Sequence, residues 1–259
     1  MRRTLLFLLV ATGSLILSSC LIIEERISLN KDGSGQQVTT VDMSGMLENT
    51  FVQMTLAEEF EKGENPDLKG KMDSSFRVAD QILPFNPQWS AAEKALISRV
   101  TGNITVDIEE GVGLMTTTFA FNNIEEVEQL AVLMSNANKP DDLENNPLSG
   151  ISGGNFLLSS MAIKGSKFTR ETEKAPNYIN PMKEAEGFQA GTADMMKEMF
   201  GDAVIIYQVD FPGKIKKVKG FAGHEVEGNS LVMMFDFMEL LEAPETFAET
   251  LSGEVKFKK

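Results

Sequence analysis

Paired runs of alternating apolar and polar residues constrain the fold of this 259-residue chain more than any other feature. The clearest pair is 103–109 and 115–121, which are joined by the short segment Gly111-Val112-Gly113. Alternation places successive side chains on opposite faces of a strand, and the glycines permit a tight turn, so this pair predicts a β-hairpin. Residues 23–43 and 156–173 show the same pattern and predict two further hairpins.

Segments between the hairpins have apolar residues three and four positions apart, which is the spacing of one helical face. Ser90 with Glu93 matches a capping box, and Asn123 with Glu126 matches a second one. The three expected helices span residues 46–61, 90–100 and 124–136.

Strand-like runs return in the last quarter of the chain, which contains few helical signals. We therefore expect an α+β fold, in which an antiparallel β-sheet built from hairpins has helices packed on one face. The expected organisation is a hairpin–helix region at 25–138, a polar loop at 139–154 and a β-rich region of the same domain at 155–259.

The N-terminus carries the features of a secretory signal. Two arginines precede an apolar run over 5–17, which is shorter than the roughly 20 residues that a helix needs to cross a bilayer. The run ends in Leu17-Ser18-Ser19-Cys20, and Cys20 is the only cysteine of the chain. These four residues resemble the lipobox of bacterial lipoproteins. The resemblance implies a signal peptide over 1–19, acylation of Cys20 with chains such as palmitate, and a short lipidated tether over 20–24.

The residues after Cys20 predict where such a lipoprotein resides. Leu21 stands where the commonest inner-membrane retention signal has Asp, so by resemblance to known sorting rules the outer membrane is favoured. We expect a lipid-anchored protein of the cell envelope that faces the periplasm or the cell surface. Because the tether is short, we also expect Leu21, Ile22 and Ile23 to lie near or against the lipid.

The charge of the chain limits its partners. Loss of residues 1–19 removes two arginines and no acid, so the formal net charge changes from −14 to −16. Such an acidic protein is not expected to bind nucleic acid. One basic run interrupts this acidity, and it has two interpretations: lysines that protect an edge strand from sheet-to-sheet pairing, or a patch that binds lipid headgroups or a protein partner. The run consists of Lys214, Lys216, Lys217 and Lys219.

The two ends of the chain resemble a known family. Phe211-Pro212-Gly213-Lys214-Ile215, a turn around Gly228-Asn229 and the long apolar strand that follows are similar to the C-terminal part of LppM-like bacterial lipoproteins. Similar envelope lipoproteins place a hairpin with an Asp-Gly turn just after the lipidated cysteine, as Asp32-Gly33 does here. The resemblance implies an α+β envelope domain without established catalytic residues.

The strongest enzymatic signal is Ser152 within Gly150-Ile151-Ser152-Gly153-Gly154, which matches the nucleophile pattern of serine hydrolases. Asp210 and His224 follow it in the order that such a triad requires. That pattern needs a buried strand before the serine and a helix after it, whereas a polar loop precedes Ser152 here. A flexible Gly/Ser linker is the favoured interpretation, and we expect no catalytic activity.

Neither a metal nor another cofactor is expected. The turn at 30–35 lacks the alternating oxygen ligands and the distal Glu of a calcium loop. The methionine groups at 195–199 and 233–238 could bind Cu(I), but at helix or strand spacing methionine is more typical of a core. A Met- and Phe-rich interior could also form a pocket for an apolar ligand.

These observations favour a non-catalytic interaction or assembly role, with an envelope protein as a possible partner. The alternative is a periplasmic or surface carrier that binds a lipid or another apolar ligand. The two hypotheses differ in whether the interior contains a cavity.

The lipid-anchor hypothesis is tested by replacing Cys20 with Ser. We expect this variant to lose its acyl mass and to leave the membrane fraction, because acyl chains supply the membrane affinity. The control is Ser19→Ala, which keeps a small residue before the cysteine and should remain in the membrane fraction. A Cys20→Ser protein that matures normally and still sediments with membranes contradicts the hypothesis.

Overall fold

The computed structural model describes residues 21–48, 70–137, 157–175 and 200–258. Cys20, most of the predicted helix at 46–61, the predicted loop at 139–154 and therefore Ser152 lie outside the described residues. Within the described part, no helix is long and apolar enough to cross a membrane.

The described residues form twelve strands and five α-helices. The strands are β1 Ile22–Leu29, β2 Gly35–Asp42, β3 Lys71–Arg77, β4 Val100–Asp107, β5 Val112–Phe121, β6 Leu157–Lys164, β7 Lys167–Lys174, β8 Val204–Asp210, β9 Ile215–Gly220, β10 Glu225–Glu227, β11 Ser230–Asp236 and β12 Gly253–Phe257. The helices are α1 Val78–Ile82, α2 Ala91–Ile97, α3 Glu125–Ser135, α4 Phe237–Glu242 and α5 Pro244–Thr250, with 3-10 turns at Ser44–Glu48 and Leu83–Phe85.

The strands form two sheets. The large sheet has eight strands in the order β10-β11-β8-β1-β2-β5-β4-β3, and the small sheet has four in the order β6-β7-β12-β9. All neighbouring strands run antiparallel except β1 and β8, which are parallel. The predicted α+β class is confirmed. The second sheet and the parallel pair were not foreseen, because both arise from contacts between distant parts of the chain.

All three predicted hairpins are present. β1 pairs with β2, β4 with β5 and β6 with β7, each in an antiparallel register. Gly33, Gly111 and Gly165 lie in the connecting turns with φ of 92°, 65° and 64°, a region that glycine enters without steric cost. In the first hairpin Ile27 and Val41 are buried on one face, as the alternation predicts. We call this side of the large sheet its inner face.

Helix α2 begins as predicted but ends early. Ser90 Oγ accepts a hydrogen bond from the backbone N–H of Glu93, and the Glu93 carboxylate accepts one from Ser90, so the capping box is confirmed. The helix ends at Ile97 rather than at residue 100. Val100 instead starts β4, where it pairs with Phe119 of β5. The local spacing of Val100 also suits a helix, but its pairing with Phe119 places it in a strand.

The second capping box is wrong. Helix α3 has Ile124 at its N-cap position, and no side chain caps it. The Glu126 carboxylate accepts hydrogen bonds from the backbone N–H of Asn122 and from Arg99 Nη1, both at 2.7 Å. Glu126, which was expected to form a capping box with Asn123, thus pairs with Arg99 and with the Asn122 backbone.

The predicted tether also needs correction. Strand β1 begins at Ile22, so residues 22–24 belong to the large sheet. Leu21 is buried, and its carbonyl oxygen accepts a hydrogen bond from Val204 at the start of β8. Leu21 therefore packs within the domain, and Ile22 and Ile23 belong to a central strand of the large sheet rather than to a free tether.

Asp210, at the end of β8, connects three strands through its carboxylate. It accepts hydrogen bonds from Arg26 and Ser28 of β1, from Ser230 of β11 and from Gln208 of its own strand, at 2.5–3.2 Å. Burial by itself would raise the pKa of Asp210. The hydrogen bonds from Ser230, Gln208 and Arg26 outweigh this effect and hold the pKa below its usual value.

We predict that this carboxylate makes stability depend on pH under acidic conditions. Because its folded-state pKa is lowered, its stabilisation is present above the unfolded pKa of about 4 and is lost as pH falls through the folded value. Asp210→Asn should lower the free energy of unfolding by about 1 kcal/mol at pH 7 and flatten its decline below pH 4. Urea unfolding at several pH values measures both effects.

The matched control is Asp80→Asn, which changes an exposed carboxylate of α1. It should leave the pH profile unchanged. If Asp210→Asn and the unaltered chain lose the same free energy of unfolding in acid, the hydrogen bonds of this carboxylate do not stabilise the fold.

Candidate ligand-binding cavity

A cavity of about 360 Å³ lies between the inner face of the large sheet, the small sheet and the helices. This volume is within the range of small-molecule sites, which are mostly apolar with a few placed polar groups. Apolar side chains from both sheets and from α3, α4 and α5 form most of its wall. They include Ile23, Val41, Phe119, Val127, Leu130, Met134, Leu157, Ile205, Leu240 and Phe247.

Polar residues form one part of the wall, on the central strands of the large sheet. Glu25 of β1 lies beside Thr39 of β2, and Thr39 lies beside Thr117 of β5. Gln37 follows Thr39 on the same face because strand side chains alternate with a period of two. The inner face is therefore apolar at its ends and polar where these four residues line the cavity.

The small sheet contributes a buried arginine to the same cavity. Phe168 and Arg170 are both buried on one face of β7, and Arg170 is only 5% exposed. Its Nε donates to Ser159 Oγ and Thr172 Oγ1, each at 3.1 Å, and its Nη2 donates to Ser159 Oγ at 2.8 Å. Its Nη1 is buried and has no hydrogen-bond partner among the described residues.

Arg170 also contacts the large sheet. Its guanidinium carbon lies 4.0 Å from the centre of the Tyr207 ring, a cation–π distance, and the Tyr207 hydroxyl donates weakly to Met161 Sδ at 3.9 Å. Burial raises the pKa of Tyr207 to about 12; the charge of Arg170 and a hydrogen-bond contribution from it oppose this rise, and the charge of Glu25 adds to it. Tyr207 therefore stays neutral and presents its ring to the guanidinium.

Arg170 forms no ion pair with a described carboxylate. Within residues 21–48, 70–137, 157–175 and 200–258, no carboxylate lies within 4.0 Å of its guanidinium. A buried donor without a partner costs about 1–3 kcal/mol, and more when the group is charged. An acceptor oxygen of a bound molecule would remove this cost, so the arrangement is suited to binding a polar or anionic group next to an apolar chain.

A second depression, of about 520 Å³, lies on the opposite side of the large sheet. Although it is larger, polar side chains line it, among them Ser75, Asn103, Thr116 and Thr118. It is open to solvent and offers little apolar surface. The cavity that contains Arg170 is therefore the better candidate for a binding site.

The structure brings the predicted lysine run onto an edge of the small sheet. Lys216, Lys217 and Lys219 lie in β9, Lys214 precedes it, and all four are exposed. Strand β12 pairs with β9 and places Lys256 opposite Lys217. An edge position agrees with the interpretation that these lysines discourage pairing between sheets. The headgroup or partner patch stays a prediction.

The predicted hydrolase residues have separate environments where the structure describes them. Asp210 is held by Arg26 at 2.7 Å, whereas His224 Nδ1 lies 2.7 Å from the carbonyl oxygen of Phe221. No hydrogen bond between Asp210 and His224 occurs among the described residues, and Ser152 lies outside them. The triad hypothesis gains no support from this geometry.

Met233 and Met234 do not share a face of β11. Met233 is buried and Met234 is 52% exposed, because they point to opposite faces of β11. The group at 195–199 lies outside the described residues. Across the described ranges, no cluster of three His, Cys, Asp or Glu side chains could hold a metal ion.

Sequence reasoning missed Arg170 and Glu25, although each has a signal. Arg170 is two residues after Phe168, and Glu25 is two residues from both Ile23 and Ile27. In a strand, a charged residue in phase with apolar neighbours faces the interior. That phase could have identified both residues as candidates for a buried site.

Comparison with known proteins yields one distant structural similarity to report. No protein-family model matches the chain, and no curated protein matches it. The NMR structure of the folded domain of LppM from Mycobacterium tuberculosis aligns with a TM-score of 0.37 and 11% sequence identity, covering 93% of this chain and 92% of that one. The ends of the sequence resemble the same family, but an alignment at this TM-score adds no argument to that resemblance.

The environment of Tyr207 predicts an unusual titration. The chain contains two tyrosines, Tyr178 and Tyr207. Tyr207 should form no phenolate below pH 11 while circular dichroism shows a folded protein, because burial disfavours the charged form. Since its folded-state pKa is raised, its contribution to stability is lost as pH rises from about 10 to about 12.

Ultraviolet absorbance measures this titration. In Tyr207→Phe the phenolate signal that forms above pH 11 should disappear, and in the matched control Tyr178→Phe it should remain. If Tyr207→Phe instead removes a transition near pH 10, the buried environment of this ring is incorrect.

Proposed function

We propose that this protein is a lipoprotein of the bacterial cell envelope that binds an apolar ligand in the cavity between its two sheets. The observation that supports binding most strongly is the cavity itself, which has apolar walls and a volume of about 360 Å³. The anchor is acylated Cys20, and the proposed location is the outer membrane. This is the carrier hypothesis, which the sequence left as the alternative.

The position of the cavity agrees with a role at a membrane. Ile23 lines the cavity and is only three residues after Cys20 in the chain. Three residues span at most about 10 Å when fully extended. An acylated Cys20 would thus keep the cavity close to the bilayer surface, where an apolar molecule could enter it with little exposure to water.

The walls of the cavity account for affinity without a chemical reaction. Each methylene group that moves from water into such a site contributes about 0.8 kcal/mol. Val127, Leu130 and Met134 supply this apolar surface from α3, and Leu240 and Phe247 supply it from α4 and α5. We propose binding rather than catalysis as the role of the domain.

A second candidate is the interaction or assembly role that the sequence favoured. Val226 of β10 and Met234 of β11 are large apolar side chains with 46% and 52% exposure. β10 is an edge strand of the large sheet, and edge strands can pair with a strand of another protein. The exposed edge could bind an envelope partner while the cavity is occupied.

A tryptophan at the cavity wall tests the carrier function. Ala131 and Val132 of α3 are both exposed to solvent, but of the two Ala131 alone borders the cavity. Ala131→Trp should weaken binding of the neutral fluorophore N-phenyl-1-naphthylamine about tenfold or more, because the indole occupies space that the ligand needs. Fluorescence titration of the full chain measures the affinity.

The matched control is Val132→Trp, which adds the same indole to the same helix but outside the cavity. It should change the affinity less than twofold, and thermal melting should show both variants folded. Equal affinities for Ala131→Trp, Val132→Trp and the unaltered chain would contradict binding in this cavity.

A further inference from the structure

The hydrogen bonds of Arg170 leave one end of its guanidinium unused. A guanidinium offers five N–H donors in a fixed planar fork. Ser159 and Thr172 accept from Nε and Nη2 along one edge. Nη1 is buried in the wall of the cavity and has no partner in the part of the chain that the structure describes. Its N–H groups can donate charge-assisted hydrogen bonds to a carboxylate or phosphate oxygen.

Arg99 of the same domain provides a comparison, because a carboxylate pairs with its guanidinium. Arg99 also lies near an aromatic ring, with its guanidinium carbon 5.3 Å from the centre of Phe119. It forms an ion pair with Glu126 at 2.7 Å and donates to the carbonyl oxygen of Ala120 at 3.2 Å. Among the described residues Arg170 contacts two hydroxyls and the Tyr207 ring but no carboxylate, so a purely structural role leaves Nη1 unexplained.

Arg170 carries the positive charge at the cavity wall. Among the described residues that line the cavity, Glu25 and Arg170 are the charged ones, and they lie on different sheets. Glu25 lies on the facing sheet beside Tyr207 and forms no ion pair with Arg170 in the described part of the chain. An anionic oxygen at Nη1 would give this guanidinium a direct ion pair and a hydrogen-bond acceptor together.

The size of the cavity restricts the rest of the ligand. A volume of about 360 Å³ is near the lower limit of small-molecule sites, which suits one acyl chain better than two. The apolar walls would contact this chain, and Arg170 would contact its polar end. The ligand class that these features share is a single-chain amphiphile with a negatively charged head.

We propose that the cavity selects single-chain amphiphiles with an anionic head, and that Arg170 binds this head through Nη1. This inference rests on the proposed carrier function. A fatty-acid carboxylate and the phosphate of a single-chain lysophospholipid would each offer an anionic oxygen to Nη1. Arg170 is a specificity residue, because the apolar walls alone would not distinguish an anionic head from a neutral one.

Three probes with the same 14-carbon chain test this selectivity: tetradecanoate, 1-myristoyl lysophosphatidic acid and the neutral 1-monomyristoylglycerol. The protein is the full chain with Cys20→Ser, so that no covalent acyl group competes. Isothermal titration below the micelle concentration should show that at least one anionic probe binds about tenfold or more tightly than the neutral one, as expected for a charge-assisted hydrogen bond. The tighter anionic probe identifies the head as carboxylate or phosphate.

Variants of the two arginines separate head recognition from folding. Arg170→Met keeps the apolar volume and should remove the preference for an anionic head, while affinity for the neutral probe changes less than about threefold. Arg99→Met removes an arginine that also lies near an aromatic ring but does not itself line the cavity, and it should keep the preference. The comparison of probes in the Cys20→Ser chain tests the proposal even if Arg170→Met does not fold.

Two results would overturn the proposal, and they differ in what else they reject. Equal binding of anionic and neutral probes, or an Arg170→Met protein that keeps the preference, rejects head recognition by Arg170 but leaves the carrier function intact. No binding of any of the three probes to the folded chain rejects both.

Discussion

The parallel pairing of β1 with β8 is the interaction on which the rest of the structure depends. It joins the first described strand to a strand about 180 residues later in the chain and places β1 near the centre of the large sheet. The Arg26–Asp210 ion pair and the hydrogen bonds of Asp210 to Ser28 and Ser230 reinforce this junction. Because β1 follows Cys20 almost directly, the proposed lipid anchor is attached to the middle of the fold rather than to a flexible extension.

This arrangement also determines what lies inside the domain. β1 contributes Ile23 and Glu25 to the cavity, and β8 contributes Ile205 and Tyr207. The small sheet then places Arg170 over the Tyr207 ring. A buried guanidinium with an unmet donor destabilises the unliganded fold, and a ligand that supplies an anionic oxygen offsets that cost. The same group that weakens the empty domain can therefore give it selectivity.

Local features of the chain could be predicted from the sequence. The three hairpins follow from alternation and glycine turns, and the Ser90–Glu93 capping box involves residues three positions apart. Contacts between distant segments could not. Glu126 accepts from the Asn122 backbone and pairs with Arg99, which lies 27 residues away, instead of forming a box with Asn123. Val100 pairs with Phe119 in a strand instead of extending a helix. Residues of both sheets line the cavity, and the contact between the sheets could not be predicted from the sequence. The sequence alone showed Arg170 only as a charged residue on the same strand face as Phe168.

The central claim is that the cavity holds an apolar ligand, and native mass spectrometry of protein extracted from its own envelope tests it most directly. The full chain should be purified without added lipid and compared before and after denaturation, so that covalent acyl groups stay and bound molecules leave. We expect one non-covalent mass per chain, corresponding to a single-chain anionic amphiphile that denaturation releases. A folded protein that carries its acyl anchor and no other bound mass would contradict the claim.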